Sequence, residues 1–332
     1  MSRSGTALSS RRRRAWPNHI VIWALIIVEL FPLYMMLQIS FKDNAAFLQN
    51  PWLPSAPFSV TERFAPAAGE VEAASELKSR VATWSEVFAG AEPSAPTAVV
   101  VEKKFDLSVY QFANWRFGAK LIVPFVANSV FVALSGTLVT VGLAILGAYF
   151  FARYRMPLSG VLWPAFLILM LLPSVVNLVP LFMLLKELSL LNTLVALIVV
   201  GVASGQAFNL LVLRSFIEDL PKDLFEAAEM DGASHLQQIV HVVIPMSGPI
   251  IGTLSILAFL GKWNEFLLPL VVLRDKELFT LGVGLIYLDG EYVKQWGQIM
   301  AAYFIAAIPL IVIFLFCMRL FVRGLSAGAV KG

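Results

Sequence analysis

The sequence predicts an all-α membrane protein with six transmembrane helices, and three observations point to it. The 332 residues are 58% hydrophobic, with a mean hydropathy of +0.78. Six apolar runs, over 20–40, 121–151, 161–185, 194–216, 249–273 and 299–322, are long enough to span a bilayer. A hydrocarbon core needs about 20 helical residues, because lipid cannot satisfy an exposed backbone amide. Basic residues gather in the short flanks of these runs, where positive charge is retained in the cytoplasm.

The first run follows the basic tail 1–19, which resembles the start of a signal peptide. The run is long and lacks a small-residue cleavage site, so it reads as a retained helix over 20–41. Arg11 to Arg14, Arg153 with Arg155, and Arg319 with Arg323 all fall on one side if both termini are cytoplasmic. The insert 42–120 is then extracytoplasmic despite its eight basic residues, since long loops cross largely regardless of charge. Helices 2–6 form a core over 121–322, interrupted by a cytoplasmic segment at 217–247, and 323–332 is a cytoplasmic tail. The net charge is +3, with arginines at membrane edges rather than along a binding face, so nucleic acid is not implied. Cys317 is the single cysteine, which excludes an internal disulfide.

Within the insert, Val71, Ala74, Leu77, Val81, Trp84 and Phe88 recur at spacings of three and four, which predicts one amphipathic helix. "TAVVV" at 97–101 reads as a strand. The insert is either a contact surface for an outer partner or a lid on the helix ends. In the third run, Pro164, Pro173 and Pro180 each remove a ladder hydrogen bond, so that helix is not expected to be straight. Asn177, four residues after Pro173, either meets a freed carbonyl and lines a path or holds helices together. No internal repeat is visible, which weakens an inverted-repeat carrier.

The segment 217–247 is polar between two apolar runs. Pro221 suits the first position of a helix, and Asp223 and Glu226 lie near its positive end. Gly232 ends that helix, and Ser234 with Gln237 has the spacing of a capping box that opens a second. Leu236, Ile239, Val240 and Val243 form its expected apolar stripe, and Pro245 its end. Glu218, Asp219, Asp223, Glu226, Glu229 and Asp231 face only Lys222, while Ala227 and Ala228 allow close approach. A basic docking groove on a cytoplasmic partner would explain this acidity, but for a generic acidic helix a solvated interfacial loop is the preferred reading.

Inside the runs, Glu29, Lys262 and Glu265 are each unfavourable by roughly 3 kcal/mol at mid-bilayer and must face protein or water. Lys262 and Glu265 are spaced to pair on one helix face, beside Trp263 and Asn264. Either these residues line a path or they clamp the helix. A proton-coupled secondary carrier would use Glu29 or Glu265 as its relay. His235 and His241 are six residues apart, which does not make a helical metal pair. No catalytic constellation and no phosphate-cradling G-x-x-x-x-G-K-[ST] loop is present, so neither an enzyme nor a cofactor or metal is expected.

The pattern E-A-A, three residues, G, nine residues, I-x-L-P is present as Glu226, Ala227, Ala228, Gly232, Val242, Ile244 and Pro245. It resembles the signature of ABC-transporter permease subunits, with Val242 for isoleucine and Ile244 for leucine. "NSVFVALSGTLVTVGLAILGAYFFARYRMP", "FLGKWNEFLLPLVVL" and "FVRGLSAGAVKG" are similar to the carbohydrate-uptake branch, in the maltose-system G permease family. The similarity covers 121–332 and the first run, while the insert is longer than that family leads one to expect. The resemblance implies a type I importer in the bacterial inner membrane. Two permeases form the path, a cytoplasmic ATPase dimer docks on the glycine-turn segments, and an extracytoplasmic binding protein delivers a sugar. It also implies that Glu226 enters an ATPase cleft, and it makes Asn177, Trp263, Asn264 and Glu265 candidates for the sugar path.

Overall fold

The computed structural model describes residues 5–64, 76–89, 93–95, 98–154, 157–171, 174–291 and 295–329. The chain divides into two compact units, Met1–Leu121 with Glu291–Ala306, and Ile122–Gly290 with Ala307–Gly332.

In the first unit, α1 (Gly5–Ser40) is a long helix whose described side chains from Trp16 to Leu30 are exposed. Its end is tied down by polar contacts. Lys42, almost fully buried, donates from Nζ to the carbonyls of Asn50 and Leu53. Asn114 Nδ2 donates to the carbonyls of Ser40 and Lys42, both at 2.9 Å. Between these anchors runs α2 (Asn44–Gln49), capped by Asp43, whose side chain accepts from Ala46 N–H. Phe47 stacks on Trp296 at 5.1 Å.

The insert is mainly a sheet rather than the expected amphipathic helix. Strands β1 (Phe58–Phe64), β2 (Glu76–Val81) and β3 (Ala98–Phe105) pair antiparallel in the order β2-β1-β3, with a bulge at Thr61/Glu62. Leu77 and Val81 lie on β2, and only Trp84 and Phe88 fall on a helix, α3 (Trp84–Ala89). The reason is periodicity: a spacing of four returns a side chain to the same face of a helix and of a strand. Val71 and Ala74 of that expected helix lie outside the described residues, as do Pro173 and 330–332. The strand expected over "TAVVV" is present from Ala98 as β3.

Helix α4 (Ala113–Arg153), which like the last helix has its N-terminal part in the first unit and the rest in the second, continues through Pro124 without a break. It is followed by α5 (Ser159–Leu171), α6 (Leu178–Glu187) and α7 (Leu194–Glu218). The short helix α8 (Lys222–Met230) precedes α9 (His235–Gln238), a π turn over Ile239–Val243, and α10 (Ile244–Met246). Then come α11 (Gly248–Trp263), α12 (Leu267–Val272), α13 (Leu281–Glu291) and α14 (Trp296–Ala329). Four helices are long and apolar enough to cross a membrane, and six spans result if each of two bent pairs counts as one. One bent pair is the third run, where Ser159–Leu171 and Val175–Glu187 lie at 94°. The other is His235–Met246 against Gly248–Trp263, at 85°.

The fifth run was expected as one helix over 249–273 and is instead broken between α11 and α12. Pro269 explains the break, because in a continuous helix its ring would meet the carbonyl of Glu265. The Glu265 carboxylate caps the new start, accepting from Leu268 N–H at 3.2 Å.

Candidate functional site

The polar segment is held by one aromatic residue. Phe225, the buried face of α8, is fully enclosed by a cluster that includes Tyr149, Leu213, Ile217, Ile239 and Val243. The guanidinium of Arg153, at the end of α4, lies over its ring at 4.2 Å and 3.8 Å from the Glu229 carboxylate. Removing a ring from such a site typically forfeits about 3–5 kcal/mol, so α8 is fixed at Phe225 while its other side is free. Glu226 and Ala227 are exposed on that side, and Ala228 is half-buried.

α8 ends in a left-handed turn. Gly232 has φ of +76°, and its N–H donates to the Glu229 carbonyl at 3.0 Å while Ala233 N–H reaches the Ala228 carbonyl at 2.9 Å. This pairing satisfies the last carbonyls of the helix and places a residue without Cβ where φ is positive. The next arm starts with the expected box: Ser234 Oγ accepts from Gln237 N–H at 3.4 Å, and Gln237 Oε1 accepts from Ser234 N–H at 2.7 Å.

The buried stripe of this arm differs from the expected one. Ile239 and Val243 are buried, but Leu236 is 64% exposed and Val240 45%. Gln238 takes the inner position at 1% exposure because Tyr149 Oη donates to its Oε1 at 2.8 Å, which removes the cost of burying the amide. The arm also runs past Pro245 to Met246. A regular turn would drive the proline ring into the His241 carbonyl. The π turn relieves this by passing the Ile244 N–H to the Ile239 carbonyl. Val242 is half-buried, and Ile244 and Pro245 are exposed.

A second feature lies in the same unit. A cavity of about 540 Å³ is walled by α4, α7, α11 and α12, among them Ser129, Gly201, Gly205, Asn209, Lys262 and Glu265. Of the four path candidates it contains only Glu265. Trp263 is buried and stacks on Phe259 at 5.8 Å, and Asn264 and Asn177 are exposed elsewhere. Lys262 and Glu265 do not pair as expected, because the helix ends between them and Glu265 turns to cap α12. Sequence reasoning missed Asn209 and the glycine floor at Gly201 and Gly205, although G-x-x-x-G in an apolar run marks close approach.

Residues 140–327, more than half of the chain, match the family model described as "Binding-protein-dependent transport system inner membrane component". The chain belongs to this family. It is thus an inner-membrane component of binding-protein-dependent transport, and the proton-coupled carrier reading is set aside. The Trehalose/maltose transport system permease protein MalG of Thermococcus litoralis is 34% identical over 317 residues, covering 94% of this chain and 96% of its own. The Diacetylchitobiose uptake system permease protein DasC of Streptomyces coelicolor is 32% identical over 322 residues, 96% and 98% of the two chains. A probable ABC transporter permease protein of Pyrococcus horikoshii is 38% identical over 205 residues, 61% and 74% respectively. A chain from the crystal structure of a bacterial ABC transporter involved in the import of the acidic polysaccharide alginate superposes with a TM-score of 0.68. That match has 19% identity and covers 96% of this family member and 99% of the other chain. The ABC importer permease fold follows from that superposition.

Proposed function

We propose that this chain is one of two permease subunits of an ATP-driven sugar importer. It crosses the inner membrane six times and docks a separate ATPase dimer through residues 226–232. The observation that carries this reading is the attachment of α8: Phe225 is buried, while Glu226 and Ala227 are presented outward. Two apolar side chains flank the turn on the same segment, Met230 at 89% and Leu236 at 64% exposure. An acidic face with uncovered apolar flanks suits a partner with a basic, partly apolar groove, and the missing phosphate loop requires ATP chemistry on another chain. Val242, Ile244 and Pro245 complete the motif by shaping the second arm beside that face.

Relatives of the chain carry the names of trehalose/maltose and diacetylchitobiose systems, which supports a sugar as cargo delivered by an extracytoplasmic binding protein. We assign the sugar path to the cavity, with Glu265 at its wall, while Trp263 stacks on Phe259 and is not part of its lining. Asn177 and Asn264 lie outside it. The test is charge reversal at Glu226. Breaking a charge pair at the desolvated centre of an interface typically costs about 2–5 kcal/mol, so Glu226→Lys is expected to lose the ATPase during purification, and Ala228→Cys to crosslink to it. Co-purification and transport at the wild-type rate in Glu226→Lys would remove the docking assignment.

A further inference from the structure

We infer that Tyr149, near the end of α4, is a positioning residue for transport: it holds both arms of the docking segment on one helix, and α4 carries their movement to the cavity wall. The inference rests on the docking reading above and adds the route by which docking reaches the path. The chain joins the segment to α7 and α11, but neither joint is a continuous straight helix. Asp219 to Pro221 interrupt the first, and the second is bent by 85°. The segment also meets α4 through side chains, and these converge on Tyr149, which is fully buried. Towards the first arm its ring lies 6.4 Å from that of Phe225, over which the Arg153 guanidinium sits at 4.2 Å. Towards the second arm Tyr149 Oη donates to Gln238 Oε1 at 2.8 Å and stands 3.2 Å from His235 Nδ1.

A phenol has one proton to donate. With that proton on Gln238 Oε1, the contact with His235 places a second proton on Nδ1, which donates to Tyr149 Oη. Gln238 is itself oriented by its Nε2, which donates to the Ala233 carbonyl at 3.3 Å, just past the turn at Gly232. A glycine turn alone leaves two arms free to hinge, because its backbone is the least restricted of any residue. Here one tyrosine holds the first arm by packing and the second by directed hydrogen bonds, so the arms move together with α4. From Tyr149 the helix runs unbroken back to Ser129 and Val132 on the cavity wall, roughly 30 Å at a rise of about 1.5 Å per residue. Coupling between distant sites is carried by rigid elements that both sites engage. The docking segment engages α4 at one end, and the cavity is walled by it further along.

The experiment uses the importer purified intact through a tag on this chain and placed in lipid nanodiscs with its binding protein, where both faces are open to reagent. Ser204 is exposed on the cavity wall, and Ser204→Cys, in a background with Cys317→Ser, reports access to the cavity through its alkylation by a maleimide. The rate is expected to differ several-fold between the nucleotide-free and the ATP–vanadate states. Tyr149→Phe removes one hydroxyl and is expected to abolish most of that difference while the complex still traps nucleotide. It also leaves the buried Gln238 amide without its donor, which by itself weakens the fold. Replacing both partners of a buried hydrogen bond by apolar groups is nearly neutral for stability. A structural role would therefore be rescued in the double variant Tyr149→Phe with Gln238→Met, whereas the positioning role is not, and the response is expected to stay low. A normal response in Tyr149→Phe, or its rescue in the double variant, overturns the inference and leaves the importer reading standing. Loss of the ATPase from both variants, or failure of both to assemble, also overturns it, because Tyr149 would then serve docking or stability alone. If the complex with unaltered Tyr149 shows no difference between nucleotide states, or Ala228→Cys captures no ATPase, the docking reading itself falls and the inference with it.

Discussion

The proposed docking segment turns at Gly232. A Cβ built there meets nothing within 4 Å, so a side chain would be opposed by backbone conformation alone, at a φ of +76°. For a residue with Cβ that conformation costs about 1–2 kcal/mol, and more for a β-branched one. Gly232→Val is therefore expected to distort the turn while leaving the helices inserted. ATP hydrolysis should persist while uptake falls several-fold, as read from the ratio of the two rates in liposomes. An unchanged ratio would separate the turn from coupling. The turn was legible in sequence because each of its signals is local: a glycine after a helix, then Ser234 and Gln237 three apart. Phe225 and Gln238 were not, because what buries them, Tyr149 and Ile217, comes from distant helices. An apolar stripe chosen by residue type alone excludes a glutamine.

At the scale of elements, the insert shows what spacing leaves undecided and what charge then fixes. β1 and β2 are joined across the sheet by an ionic group centred on the buried Glu62: half-buried Arg80 donates to Glu62 at 2.8 Å and to Glu86 at 2.9 Å, and Ser94 N–H donates to Glu62 at 3.1 Å. Hydrogen bonding from Arg80 holds Glu86 down at about 2. At Glu62, burial pushes the pKa upward, but the hydrogen bonds from Ser94 and Arg80 outweigh it and leave it below the ordinary carboxylate value. Carboxylates with depressed folded-state pKa contribute stability above their unfolded value and lose it as pH falls toward the folded one. The sheet is thus expected to loosen between about pH 4.5 and 2. Hydrogen exchange of 58–64 and 76–81 in the full-length chain, corrected for intrinsic rates, should show protection at about pH 6 and its loss near about pH 3. Arg80→Met should lose it already at pH 6. Full protection at pH 3 would mean that the pairing, rather than the ionic group, holds the sheet. None of this was visible in a spacing of three and four, and the break between α11 and α12 was missed as well, because apolar length alone reads 249–273 as one run.

For the whole molecule, six apolar runs were legible because a bilayer demands length and composition, which a sequence displays directly. Bends and cavities were not, since they depend on which helices meet: the glycines that seat Lys262 come from α4 and α7. Orientation stands between these cases, because it follows from where charge lies rather than from packing. With six crossings and a cytoplasmic N-terminus, the basic flanks at Arg11 to Arg14, Arg153 and Arg319 are expected on one side, together with the acidic segment at 217–247. On the proposed topology the insert is expected outside and 226–232 inside, within reach of the proposed ATPase. Ala89 is an exposed position at the end of α3 and is a better reporter than Ser94, whose hydroxyl and amide are bonded to Glu62. A cysteine at Ala89 is expected to react with an impermeant maleimide in cells whose inner membrane is intact, after permeabilising any outer one. A cysteine at Ala227, exposed on α8, should react only once the inner membrane is opened. The reverse pattern would invert the topology and, with it, place the acidic segment out of reach of any ATPase.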